Sequence, residues 1–372
     1  MRVLSVFGTR PEAIKLAPIV LGLRGHKDIE HAVCVTGQHR HMLDQVLQTF
    51  DIVPHYDLNV MRPDQNLTDV TAAVLTGIGP VLDEVKPDWV FVQGDTTTAF
   101  VAALAAFYRK TKVAHVEAGL RTGNIYSPWP EEMNRKLVTQ VASLHLAPTE
   151  RAAGNLRREG ISETDILVTG NTVIDALQWV VRRLAEDPSF TREAERAFPP
   201  IDPKRRLILV TGHRRENFEG GLERVCLALR RIAERGDVEI VYPVHLNPHV
   251  RAVAQTVLAD HPAIHLVEPV DYLPFVLLMQ RAYLIVTDSG GIQEEAPGLG
   301  KPVLVTRDTT ERPEAIEAGT AKLVGTSTDA LIAAVNELLD DASAYRAMAR
   351  AKNPFGDGKA AERIIARLIG QP

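Results

Sequence analysis

Val286-Thr287-Asp288-Ser289-Gly290-Gly291-Ile292-Gln293-Glu294-Glu295-Ala296 ends an apolar run, turns through two glycines and continues in residues that favour a helix. The run 283–286 reads as a buried strand, so the stretch is a strand–turn–helix unit. Gly290 and Gly291 remove side-chain bulk where a ligand can approach the backbone. The first helical N–H groups, unpaired within the helix, point into that space and attract a phosphate. Glu294 or Glu295, a turn further on, can accept from a sugar hydroxyl. A plain glycine turn with Ser289 as helix cap fits the same letters, because one glycine pair is a weak signal. The rest of the chain has to decide.

Working outward, apolar runs at 206–210, 239–242, 264–267, 284–286 and 303–305 alternate with helical patterns. An earlier series does the same, with strands expected at 2–7, 31–36, 89–93, 113–116 and 144–147. Strand alternating with helix is the signature of an open parallel sheet covered on both faces. The Pro-rich break Phe198-Pro199-Pro200-Ile201-Asp202-Pro203 separates the two series. The expected fold is α/β, with two Rossmann-like doubly wound domains in tandem. Residues 1–171 plus about 355–372 form the first and 172–354 the second. Helices are expected at about 328–350 and 358–368, and the break at 353–358 lets the last one cross back onto the first domain. Ligands of such sheets bind beyond the carboxyl ends of strands, where strand order reverses. Two sheets facing each other would make one central cleft, and every polar cluster below follows a strand.

The totals narrow the class. A chain of 372 residues is comfortable for two domains. Its net charge of -5 and pI near 6.2 argue against a nucleic-acid binder. Cys34 and Cys226 are too few for a disulfide framework and read as buried free thiols of a reducing compartment. No apolar run approaches membrane-spanning length, and the N-terminus enters a strand with no signal-peptide pattern, so no membrane role and a cytoplasmic location are expected.

Several clusters carry chemistry. The first strand leads into Gly8-Thr9-Arg10-Pro11-Glu12, with Thr9 placed to cap a helix and Pro11 in its first turn. Arg10 and Lys15 then stand beside a helix N-terminus, a second anion site. Asp95 follows the strand 90–93 and Glu117 the strand 113–116. Asp95 alone also fits a helix cap. The loop Ser127-Pro128-Trp129-Pro130-Glu131-Glu132-Met133-Asn134-Arg135 opens a helix at Glu131, where the dipole alone would favour a carboxylate. Asp95, Glu117 and Glu131 converging on one cleft suggest proton transfer, because burial and like charge raise some carboxylate pKa values.

In the second domain Gly212-His213-Arg214-Arg215 sets a neutral-range titrating group beside two guanidiniums, which suits a diphosphate leaving group; a solvated basic turn is the plain alternative. His245 and His249 have a metal-like spacing, but Pro248 interrupts it and no third ligand is near. His39-Arg40-His41 reads as a loop. Phe275 is either a core aromatic or a platform for a base. Arg307 and Arg312 follow the strand 303–305 and can reach the same phosphates. Neither a Walker lysine loop nor a G-x-G-x-x-G fingerprint occurs, which disfavours NTP hydrolysis and dinucleotide redox chemistry. Anion-holding groups facing carboxylates describe a nucleotide-sugar enzyme.

These stretches resemble the non-hydrolysing UDP-N-acetylglucosamine 2-epimerases of bacteria. The matching segments are F-G-T-R-P-E-A-I-K from Phe7, G-D-T-T-T from Gly94, H-V-E-A-G-L-R-T from His115, S-P-W-P-E-E-M-N-R from Ser127, G-H-R-R-E-N from Gly212, Y-P-V-H-L-N-P from Tyr242, T-D-S-G-G-I-Q-E-E-A-P from Thr287 and R-D-T-T-E-R-P-E from Arg307. The resemblance implies a glycosyltransferase-B type fold, a homodimer, and interconversion of UDP-GlcNAc and UDP-ManNAc for cell-surface polysaccharide synthesis, with no metal or organic cofactor. It implies acid/base roles for Asp95, Glu117 and Glu131 and diphosphate assistance by His213. Arg10, Lys15, Ser289, Gly290, Gly291, Glu295 and Arg312 match nucleotide-sugar contacts, with Glu295 on the ribose, and Phe275 matches the residue beside the uracil; Lys15 belongs with the catalytic set as well.

The chain departs from the family pattern in places. Gln93 stands where relatives often carry histidine, and Val270 where glutamine can contact the nucleotide. Gln38, Arg214 and His245 match residues that bind a second, activating UDP-GlcNAc in several members. His41 and Asp64 replace an amide and a basic residue there, which puts activation in doubt. A hydrolysing 2-epimerase, a retaining glycosyltransferase and a non-catalytic nucleotide-sugar sensor are the competing readings. The complete G-H-R-R-E-N and S-P-W-P-E-E segments and the intact carboxylates weigh against them.

Overall fold

The computed structural model describes residues 1–38 and 40–370; His39, Gln371, Pro372 and the side chains of Arg40, His41 and Arg215 lie outside the described residues. The backbone divides into two units, Met1–Ala176 with Phe355–Pro372, and Leu177–Pro354.

The first unit carries strands β1 (Arg2–Phe7), β2 (Glu30–Val35), β3 (Tyr56–Asp57), β4 (Trp89–Gln93), β5 (Lys112–Val116), β6 (Leu144–Ala147) and β7 (Ile166–Val168). They form one parallel sheet in the order β3-β2-β1-β4-β5-β6-β7. The second unit carries β8 (Arg206–Thr211), β9 (Val238–Pro243), β10 (Ile264–Val267), β11 (Leu284–Thr287), β12 (Val303–Val305) and β13 (Ala321–Leu323). Its parallel sheet runs β10-β9-β8-β11-β12-β13. Each unit is therefore a doubly wound α/β domain, as the alternation of strand and helix predicts. Strand order reverses between β1 and β4 in one and between β8 and β11 in the other, which marks the two places where a ligand of each sheet is expected.

The central strands were legible because a parallel sheet buries both faces and its strands read as apolar runs. In the first unit Leu4, Val6, Val90, Val92 and Val113 pack beneath Ala99, Ala102, Ala103 and Ala106 of the helix Thr97–Tyr108. In the second, Ile208, Ile240, Leu284 and Leu304 pack with Cys226, Leu229 and Ile232 of the helix Gly221–Ala233. Three strands went unforeseen: β3, β7 and β13, of 2, 3 and 3 residues, all at sheet edges. Short edge strands bury little, so they leave almost no apolar signal. The expected helix at 328–350 is two, Thr328–Asp340 and Ala342–Ala349. Asp341 breaks it, because its carboxylate accepts from the N–H groups of Ser343 and Ala344 at 2.7 and 3.1 Å and so caps a new helix.

The final helix, Ala360–Leu368, packs on the helix Arg10–Leu23 of the first unit. A Cβ at Gly22 would lie 2.4 Å from Ile365 Cδ1, so a larger residue there would make the Ile365 side chain shift. Just before it, the carbonyl of Phe355 accepts from the Asn171 N–H at 2.6 Å.

Candidate active site

At the switch point of the first unit, the loop after β1 and the loop after β4 are joined by a residue that sequence reasoning did not single out. Glu12, 1% exposed, accepts from the N–H groups of Gly8 (3.0 Å) and Thr9 (2.8 Å) through one carboxylate oxygen. Its other oxygen accepts from the Thr96 hydroxyl at 2.6 Å. Burial pushes this carboxyl up to about 7, and the hydrogen bonds from Thr96, Gly8 and Thr9 pull the other way less strongly. Thr9-x-x-Glu12 is a capping-box spacing, the one signal in the sequence that pointed here. The anion site expected beside Arg10 changes accordingly: the chain's own carboxylate already occupies the Gly8 and Thr9 N–H groups. Arg10 itself has no hydrogen-bond or ion-pair partner among the described residues. Gly8 is required by packing, since a Cβ there would lie 2.0 Å from Thr36 Oγ1 and 2.7 Å from Thr98 Oγ1. Thr98 also donates to Gln38 at 3.2 Å.

Asp95 is not a helix cap; Thr96 is, accepting from the Ala99 N–H at 3.0 Å. The Asp95 carboxylate instead holds Arg135, with Nε at 2.8 Å and Nη2 at 2.6 Å. Asn134 donates to its backbone carbonyl at 2.9 Å. Arg135 also pairs with the fully buried Glu132 at 3.0 Å. Both Asn134 and Arg135 lie on the helix Glu131–Val141, whose first residue is the half-buried Glu131. Glu131 and Arg135 are four residues apart and so share a helix face. Glu131 has no hydrogen bond from its side chain among the described residues.

Glu117, just beyond β5, has a φ of +64°, an unusual backbone for a residue with a Cβ. Its side chain is 7% exposed and gathers three donors. Lys15 pairs with one oxygen, Asn171 donates to the same oxygen at 2.9 Å, and Gln93 donates to the other at 2.5 Å. The departure at Gln93 thus has a structural use, and Asn171 is a site residue that the sequence reading missed. Behind them His115 Nε2 donates to the Gly94 carbonyl at 2.7 Å. Burial lowers His115 to about 3, which keeps that ring neutral.

The switch point of the second unit has the same plan. Asp288, 2% exposed and just beyond β11, accepts from the N–H groups of His213 (2.9 Å) and Arg214 (2.8 Å) in the loop after β8. Asn217 adds a contact at 3.4 Å. His213 Nδ1 lies 3.5 Å from the other Asp288 oxygen, and its ring stacks on His245 at 5.2 Å between centroids. Burial lowers the His213 pKa, the Asp288 carboxylate opposes that fall, and His245 and Arg214 reinforce it. The possible activator residues Arg214 and His245 therefore flank His213, whereas Gln38 belongs to the other unit. His249 packs on Phe218 and His245 on His213, so these two histidines have separate aromatic neighbours.

Ser289 stands at the N-cap of the helix Gly290–Glu295 but makes no side-chain cap hydrogen bond. That helix has only six residues before a 3-10 turn, Ala296–Leu299, so its dipole is weaker than the sequence suggested. Neither glycine is demanded by the protein itself: the nearest atoms to a Cβ would be 3.8 Å away at Gly290 and 3.9 Å at Gly291, ordinary contacts. The Arg312 guanidinium is one of those neighbours and pairs with the buried Glu294. Of the two candidate sugar-binding carboxylates, Glu294 pairs with Arg312, and Glu295, 9% exposed, lies beside Tyr272. Arg307, expected among the phosphate ligands, is buried in ion pairs with Glu216 and Glu311 instead. Phe275 lies half-buried in the first turn of the helix Tyr272–Arg281, and Val270 is half-buried just before it. Asp64 is exposed with a φ of +61°.

No group of three or more metal-ligating side chains occurs among the described residues, and none of their helices is long and apolar enough to cross a membrane. A family model described as UDP-N-acetylglucosamine 2-epimerase matches residues 22–369. A probable UDP-N-acetylglucosamine 2-epimerase of Ralstonia solanacearum is 58% identical over 99% of this chain and 98% of its own. The crystal structure of UDP-GlcNAc 2-epimerase from Neisseria meningitidis bound to UDP-GlcNAc is 50% identical, covers 100% of both chains and superposes with a TM-score of 0.91. At 17% identity and a TM-score of 0.60, the glycosyltransferase SnogD of Streptomyces nogalater shares the fold alone. Two sheets with matching switch points and near end-to-end likeness at this level make the chain a member of the UDP-N-acetylglucosamine 2-epimerase family.

Proposed function

We propose that this chain inverts C2 of UDP-GlcNAc to give UDP-ManNAc, reversibly and without hydrolysis. The observation that carries the reading is Glu117, a carboxylate on strained backbone that gathers Lys15, Asn171 and Gln93 at the end of β5. Backbone strain held by several partners marks a site where geometry matters more than stability.

The C2 proton of the sugar is not beside a carbonyl, so its direct removal is prohibitively slow. Breaking the C1–O bond first lets positive charge develop at C1 and acidifies C2. Elimination gives 2-acetamidoglucal and UDP; UDP then adds back while a proton is delivered to the opposite face. Asp95, Glu117 and Glu131 serve as the proton-transfer set, with Lys15 setting the charge beside Glu117. His213 donates a hydrogen bond or proton to the departing diphosphate. In the free chain burial keeps its pKa low, and an arriving diphosphate supplies the opposite charge that raises it. Arg10, Arg312, Ser289 and the N–H groups of Gly290 and Gly291 hold the phosphates, Glu295 the ribose, and Phe275 lies beside the base. Holding UDP throughout is what keeps the intermediate from being lost to water.

The product supplies ManNAc units for cell-surface polysaccharides. The enzyme works in the cytoplasm, where the buried free thiols Cys34 and Cys226 suit a reducing compartment, and as a homodimer. An NMR time course with UDP-GlcNAc in deuterated water tests the reaction. UDP-ManNAc carrying deuterium at C2 is expected. Free ManNAc with UDP would move the chain to the hydrolysing class, and an unchanged substrate would remove the activity altogether.

A further inference from the structure

Glu12 is the buried group that the reaction above does not use. It is almost fully enclosed, and its hydrogen bonds come from both loops of the switch point, two from the loop after β1 and one from the loop after β4. Gly8 and Thr9 precede Arg10, and Thr96 follows Asp95 directly. One carboxylate therefore clamps the backbone carrying Arg10 and Lys15 to the backbone carrying Asp95. All three of its partners act as donors, an arrangement that fits a carboxylate better than a carboxylic acid: a protonated oxygen would present its own O–H to the Thr96 hydroxyl, which then loses its acceptor.

We propose that Glu12 is a positioning residue for the epimerisation, acting in its ionised form to hold the Arg10 loop against the Asp95 loop. The proposal rests on the reaction and site assignment above and adds a residue to them. The groups facing this clamp are few. Its own helix offers Arg10 and Lys15, the latter drawn to Glu117. The loop after β4 offers Asp95, paired with Arg135. The end of β5 offers Glu117 and His115, the latter neutral in the folded chain. The neighbours from the loop after β2, Thr36 and Gln38, are uncharged. Because burial raises the Glu12 carboxyl to about 7, the clamp loosens as the pH falls below that value.

The full-length chain is assayed from about pH 5.5 to 9. Glu12→Gln keeps the size of the side chain and is expected to lower kcat/KM above pH 7 by about tenfold, the effect of losing one charge-assisted hydrogen bond. The same substitution flattens the acid limb of the wild-type profile. Thr96→Val, which leaves the carboxylate in place, lowers kcat/KM by a similar factor. The double variant is no worse than either single one, as expected of two groups acting as one unit. Wild-type kcat/KM and an unchanged pH profile in Glu12→Gln overturn the proposal; so does additivity in the double variant. If Glu12→Gln does not fold, full activity in Thr96→Val overturns it as well. An NMR titration separates this from failure of the reaction itself. The amide signals of Gly8, Thr9 and Asp95 shift together with one midpoint near 7 in the wild type and stay still in Glu12→Gln, whatever the chain catalyses. Independent midpoints, or shifts that persist in the variant, overturn the clamp.

Discussion

In the first unit Glu12 accepts from two consecutive backbone N–H groups after β1; in the second, Asp288 accepts from two consecutive backbone N–H groups after β8. Both carboxylates are buried, and both tie the loops that flank the point where strand order reverses. Glu12 reaches back from the helix after its own strand, whereas Asp288 reaches across from the neighbouring strand β11. What the two loops then present is different. The first displays carboxylates and a lysine, Asp95, Glu117 and Lys15. The second displays His213, Arg312 and a glycine pair that the protein's own packing does not need. On the proposed function, a common topology with a similar buried carboxylate serves mainly proton transfer in one unit and mainly anion binding in the other. On that same reading, the site side chains would set the chemistry while each buried carboxylate would hold its loop.

That division of labour can be broken from either side. The largest expected effect comes from the acid/base groups: Asp95→Asn and Glu117→Gln each lower kcat by about a thousandfold, within the range for general acid–base groups, and leave UDP affinity by calorimetry nearly unchanged. Full turnover in both would end the assignment. A lost UDP affinity would instead show that these two carboxylates act in binding the nucleotide rather than in moving protons.

The next effect sharpens the contrast between the two clamps. Glu12 has its pKa raised from 4.5 to about 7 by burial. Below about pH 4.5 it is protonated whether the chain is folded or not. As the pH rises toward 7 the unfolded chain ionises while the folded chain holds its proton, so folding loses stability, by about 3 kcal/mol in all. Urea unfolding of wild type and Glu12→Gln at about pH 4.5 and pH 8 should show their stability difference shifting by that amount, in the variant's favour at the higher pH. No shift would mean that Glu12 is not held protonated by its burial.

The smallest effect tests the second unit alone. Gly290→Ala adds a methyl group whose nearest protein neighbour is 3.8 Å away, so the melting temperature should hardly move. A phosphate approaching that backbone would be obstructed, and UDP affinity should fall about tenfold, or ~1.4 kcal/mol. Unchanged affinity would return the glycines to the plain turn that the sequence also allowed.

Much of this was legible early. Strand ends carried the motifs because central parallel strands announce themselves as apolar runs, and the site loops follow those runs directly. Asp95 stands just after β4, Glu117 just after β5, His213 just after β8 and Ser289 just after β11, each where the sequence placed it. The ion pair of Glu294 with Arg312 was not legible, because only the folded chain brings the two together. Nor was the fate of Arg307, whose type alone suits a phosphate as well as it suits Glu216.

By itself the sequence determined which residue types stand at the end of each strand, and hence the family, the alternating α/β architecture and the chemistry on offer. These follow from local patterns, apolar period and motif spacing, that survive without knowledge of distant contacts. Only the tertiary structure decided which of those groups are spent inside the protein. Glu12 meets Thr96 across 84 positions, Asn171 meets Glu117 across 54, and Asp288 meets His213 across 75. A carboxylate's role depends on which donors reach it and whether water does, and both are properties of the folded chain.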